Sequence, residues 1–148
     1  VVDESIDMLE MICDKGSELL IERNKAGEEE IIKSEEDPII DIPIAVLVNG
    51  SSASASEIFA GTLKDYEKAT IIGTKTYGKG VIQELLTLSD GSGLKITSQK
   101  YLTPNKTEIN KIGIEPDVTV ELPDTVENVL NVEKENDTQL QKAIEMLK

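Results

Sequence analysis

Histidine is absent from this 148-residue chain. That single absence excludes Ser-His-Asp triads, Cys-His dyads, His-ligated zinc and imidazole bases. Any acid–base chemistry must fall to Lys, Asp, Glu, Tyr or a chain terminus. Cysteine occurs once, as Cys13, so no internal disulfide forms. Its place on the apolar side of an expected helix reads as a small buried hydrophobe. Tryptophan is missing and aromatics make up 3% of the residues, so the 39% hydrophobic content must build its core from Ile, Leu and Val. No apolar run approaches the ~20 residues that cross a bilayer. No signal-peptide pattern occurs, and the chain opens on Val1 and Val2 without an initiator Met, as expected of a segment of a longer protein. Positive charge is scarce: 15 Lys and Arg stand against 29 Asp and Glu, a net charge of −14. With no compensating basic stripe, such a surface repels phosphate backbones, which argues against nucleic acid and anionic membranes as partners.

What is present reads as an α/β domain with a mixed sheet and βαβ units. Residues 2–15 place Val2, Ile6, Leu9 and Cys13 at 4-3-4 spacing, with Asp3 and Glu4 in the first turn and Gly16 after the end. Residues 18–23 and 29–34 read as short strands about a Gly-containing turn, followed by a polar connector over 34–43. The acidic run from Glu28 to Glu30 reads as a solvated face. The continuous apolar run 43–49 suggests a strand buried on both faces of a parallel sheet. A helix over 54–66 and a strand over 69–73 complete a βαβ unit. Residues 81–88 and 93–104 form an expected hairpin around Ser89-Asp90-Gly91-Ser92. A loop over 105–117, a strand over 118–122 and a last helix near 137–147 follow.

Between the strand ending at Asn49 and the helix lies Ser51-Ser-Ala-Ser-Ala-Ser56. Ser54-Ala-Ser-Glu57 is a capping box, in which Ser54 and Glu57 satisfy each other's helix-end N–H groups. The same turn suits a nucleophile, because a helix N-terminus offers unpaired N–H groups and positive potential. An oxyanion beside Ser54 could use the Ala55 N–H. The motif alone does not separate the two readings. Without histidine, a serine nucleophile needs a neutral lysine, and neutrality requires desolvation. Lys79 lies in Tyr77-Gly-Lys-Gly-Val-Ile-Gln83, where two glycines permit a bend and Val81 and Ile82 could dry the site. The plainer reading of that lysine is a solvated turn residue.

Taken together, the serine cluster, Tyr77-Gly-Lys-Gly-x-x-Gln83, Leu88-Ser-Asp-Gly91 and Gly113-Ile-Glu-Pro-Asp117 resemble the C-terminal processing peptidases, or tail-specific proteases. The resemblance runs from the first helix to about Leu122. It implies a crotonase/Clp-protease-like spiral core and a serine endopeptidase with Ser54 as nucleophile, Lys79 as general base and Gln83 orienting the lysine amine. It implies the Ala55 N–H as an oxyanion donor and a structural role for Asp65. A neutral amide such as Gln83 can hold a neutral amine without favouring the ammonium form, as a carboxylate would. A fully extended 79–83 segment would separate the two Cα atoms by ~13 Å, so a bend is required.

The resemblance further implies polypeptide substrates with accessible C-termini, no cofactor, and residence outside the cytoplasm. On this reading residues 1–148 are a catalytic core with 123–148 as a C-terminal extension. The family's substrate-tail-binding PDZ domain is not in the sequence, nor is the glycine turn expected to donate a second oxyanion N–H. The isolated chain is therefore expected to be weak or inactive, and a homo-oligomer could form through surface left by missing segments. Two other readings are a non-catalytic binding module on the same fold and a crotonase-type acyl-transfer enzyme. A pure binding module has no reason to keep Ser54, Lys79 and Gln83 together.

Overall fold

Short apolar runs punctuated by turn residues fold here into two sheets with a helix between them. The computed structural model describes residues 2–126 and 132–148. The element order is α1 (Val2–Glu10), β1 (Glu18–Asn24), β2 (Glu29–Lys33), β3 (Ala45–Val48), α2 (Ala55–Asp65), β4 (Thr70–Gly73), β5 (Val81–Thr87), β6 (Gly93–Leu102), β7 (Val118–Thr119) and α3 (Thr138–Met146). The first sheet is antiparallel in the order β2-β1-β6-β5, and the second is parallel in the order β3-β4-β7. The expected mixed α/β class, the βαβ unit of β3, α2 and β4, and the β5–β6 hairpin are all present.

Helix α2 joins the two sheets. Ile58 and Leu63 enter a core with Leu9, Leu19, Leu20, Tyr101, Ile109 and Ile114, while Ala60 packs with Val48 and Ile71 on the parallel sheet. Each buried Leu or Ile side chain contributes roughly 1.5–3 kcal/mol. Thr62 Oγ1 donates to the Leu19 carbonyl at 2.7 Å, tying the helix to β1. Gly61 permits the close approach: a Cβ there would lie 2.7 Å from Thr103 Cγ2.

Three expectations need adjustment. Helix α1 ends at Glu10 rather than near residue 15, because Ile12 and Cys13 N–H groups both turn back to the Leu9 carbonyl. Cys13 is nevertheless buried, as its pattern suggested. The run around β3 is not buried on both faces: β3 is an edge strand and Leu47 is 39% exposed. β7 is two residues long, not five. Part of the expected C-terminal extension, residues 127–131, lies outside the described residues.

Candidate active site

The turn that delivers Ser54 is built from its neighbours' side chains. Asn49 Oδ1 accepts from the Ser51 N–H at 2.8 Å, and Ser52 Oγ accepts from the Asn49 N–H at 3.1 Å. The serines thus divide their work: Ser52 shapes the turn, and Ser54 stands at its apex.

Ser54 adopts φ 59° and ψ −116°. An L-residue with positive φ is strained, by roughly 1–3 kcal/mol. An ordinary N-cap takes extended backbone, so capping does not demand this conformation. A strained serine at a strand-to-helix turn is the geometry that exposes a hydroxyl in nucleophile elbows. The Glu57 N–H donates to the Ser54 carbonyl at 2.9 Å and also faces the Ser54 side chain, so the expected capping box is present. The Ala55 N–H, at the first position of α2, has no intrahelical acceptor and enters no turn or cap bond among the described residues. The Ala55 peptide is fixed from its other side, where Ser5 Oγ donates to the Ala55 carbonyl at 3.0 Å.

Glu57 does far more than cap. It is fully buried at 0% exposure, and four donors converge on its two oxygens. Oε2 accepts from the Ser54 N–H at 2.9 Å and the Lys79 N–H at 2.8 Å. Oε1 accepts from Thr76 Oγ1 at 2.5 Å and the Gly78 N–H at 2.6 Å. This is the partner set of an acceptor-only carboxylate. One side chain therefore holds the serine turn against the lysine loop.

The structure brings Ser54 and Lys79 together in the backbone. Their side chains are not hydrogen-bonded to each other, and the Lys79 side chain is exposed rather than dried by Val81 and Ile82, which are only half-buried. Nothing among the described residues covers it. Gln83 is exposed on β5 opposite Thr97, immediately after a register shift between Ile82 and Gln83. Such a bulge re-aims a side chain out of regular alternation. No hydrogen bond joins Gln83 to Lys79 among the described residues. Asp65, at the end of α2, accepts the Asn105 N–H at 2.8 Å and lies in a structural contact.

The sequence reading gave Glu57 only its capping half and passed over Thr76. The signal available for Glu57 was helical spacing, which sets it beside Ile58 and Gly61 on the buried face of α2. Among the described residues no group of three or more Cys, Asp or Glu side chains is arranged to hold a metal ion. None of the helices described is long and apolar enough to cross a membrane.

Comparison with known proteins gives the chain a family. Residues 1–120 match the description of Peptidase family S41. A Staphylococcus aureus protein named "Probable CtpA-like serine protease" is 44% identical over 126 residues, which cover 83% of this chain and 25% of that protein. A "Carboxyl-terminal-processing protease" of Synechocystis is 44% identical over 124 residues, covering 84% of this chain and 29% of that protein. The solved photosystem II D1 C-terminal processing protease superposes with a TM-score of 0.78 at 39% identity, over 83% of this chain and 33% of that one. The chain thus spans about a quarter to a third of the length of these relatives. With the family match covering most of its length, the chain belongs to peptidase family S41.

Proposed function

We propose that this chain is the catalytic core of a serine endopeptidase that cleaves polypeptides near their C-termini, with Ser54 as nucleophile and Lys79 as general base. The observation that carries the reading is the strained Ser54 turn, which Glu57 ties to the Lys79 loop. In this reaction the neutral Lys79 amine takes the Ser54 proton as Oγ attacks a peptide carbonyl. The Ala55 N–H donates to the developing oxyanion at the positive end of α2. Lys79 then protonates the leaving amine, and water resolves the acyl-enzyme. Gln83 orients the lysine amine.

The exposed lysine sets a condition on this mechanism. A free amine at neutral pH needs desolvation, so a cover must close over Lys79 when substrate is bound. The polypeptide itself, or chain beyond this segment, supplies that cover. The family resemblance supports a tail-binding PDZ domain elsewhere in the whole protein and residence outside the cytoplasm. It also supports association of isolated cores through uncovered apolar surface such as Leu47 and Leu85.

A fluorophosphonate probe tests the nucleophile directly. The protein expressed from its complete gene should become labelled at Ser54, and Ser54→Ala should lose the label with its fold intact. Labelling at another serine, or equal labelling of both proteins, would contradict the assignment.

A further inference from the structure

Gly113-Ile-Glu-Pro-Asp117 is so far unused by the chemistry, yet its contacts lead to the lysine loop. Residues 109–114 form a closed turn, with the Gly113 and Ile112 N–H groups returning to the Ile109 carbonyl at 2.9 and 3.1 Å. This turn grips residues 76–80 at three places. The Ile114 N–H donates to Thr76 Oγ1 at 2.7 Å, and the Thr76 N–H donates to the Ile114 carbonyl at 3.1 Å. The Lys111 N–H donates to the Gly78 carbonyl at 2.8 Å. Gly80 lies so close that a Cβ there would come within 2.4 Å of the Asn110 nitrogen.

Gly113 occupies a second tight point. Its φ is +76°, and a Cβ would stand 2.6 Å from the Thr76 carbonyl oxygen and 3.1 Å from Thr76 Oγ1. The far end of the motif is anchored independently. Asp117 accepts the Ile71 N–H of β4 at 2.8 Å and pairs with Lys64, near the end of α2, at 2.8 Å. Thr76 stands in the middle: its hydroxyl accepts from Ile114 and donates to Glu57, whose other oxygen holds the Ser54 and Lys79 N–H groups.

We propose that Gly113 is a positioning residue for Lys79, acting through Thr76 and Glu57. The 109–114 turn seats Thr76. Thr76 orients the Glu57 carboxylate, and that carboxylate fixes the Lys79 backbone relative to Ser54. This rests on the reading of Lys79 as the base. A side chain at position 113 pushes Thr76 away and loosens the carboxylate's grip on both segments. Displacements near 1 Å at a reacting pair cost up to about 100-fold in rate.

The test compares wild type, Gly113→Ala, Thr76→Val and Thr76→Ser. Amide hydrogen exchange and the kinetics of fluorophosphonate labelling are measured on each. Gly113→Ala and Thr76→Val should speed exchange at Ser54, Gly78 and Lys79 while leaving the Leu19–Ile21 amides of β1 unchanged. They should lower the limiting labelling rate about 10- to 100-fold with little change in probe affinity. Thr76→Ser, which keeps the hydroxyl, should restore both readouts. Thr76→Val guards against a Gly113→Ala protein that fails to fold. Unchanged exchange at Ser54 and Lys79 would overturn the proposal. So would a uniform rise throughout the protein, or a Thr76→Ser protein no better than Thr76→Val. A wild type that takes no label sinks the hydrolase reading instead, and the exchange data then decide alone whether Gly113 positions Lys79.

Discussion

Ser54 and Lys79, twenty-five positions apart in sequence, donate their main-chain N–H groups to the same oxygen, Glu57 Oε2, at 2.9 and 2.8 Å. Two nitrogens on one acceptor lie within about 6 Å of each other. The two segments that carry the proposed nucleophile and base are thus held together through the backbone.

Replacing Glu57 should damage both segments at once. In Glu57→Gln one oxygen becomes an amide nitrogen whose N–H groups face donors. The buried site then loses acceptors and gains a donor clash, at a cost of about 3 kcal/mol. Urea denaturation should show this loss, and fluorophosphonate labelling of Ser54 should fall about 100-fold. A Glu57→Gln protein within 1 kcal/mol of wild type would mean that the four contacts do not act together.

The backbone strain at Ser54 gives a separable prediction. Both Ser54→Gly and Ser54→Ala remove the hydroxyl, but only glycine tolerates φ 59° without penalty. Ser54→Gly should therefore be more stable than Ser54→Ala by about 1–2 kcal/mol. Thermal melts of the two variants decide it. Equal stability would remove the strain argument for a nucleophile turn.

Much of this arrangement was legible from local patterns. The Ser54–Glu57 box, the βαβ unit and the 81–102 hairpin follow from spacing and turn residues that lie close together in the chain. The wider role of Glu57 was not legible, because its other partners lie nineteen to twenty-two positions away and no local pattern encodes which loop returns to a helix end. Leu47 misled for a related reason. An all-apolar run fits a fully covered strand, but covering depends on what lies beside it, and β3 has one neighbouring strand among the described residues. The exposure of Lys79 belongs to the same class, since two apolar residues following a lysine do not determine what lies over it.

Cys13 offers a test of the core that is independent of the chemistry. Burial pushes its thiol up from about 9 to about 11. The folded value is the raised one, so the stabilising contribution is intact below pH 9 and is lost as pH rises toward 11. Across that window wild type should lose about 2 kcal/mol more than Cys13→Val in chemical denaturation. Parallel pH profiles would indicate that the thiol ionises equally well in the folded protein.

The central claim is that Lys79 serves as base to Ser54. The most direct measurement follows cleavage of an unstructured polypeptide from pH 6 to 10 by the protein expressed from its complete gene, beside its Lys79→Ala variant. Wild type should cut with a rate that rises with pH, and Lys79→Ala should be inert with its fold retained. Equal cleavage by both proteins, or none by wild type, would contradict it and leave the serine turn as the cap of a binding module.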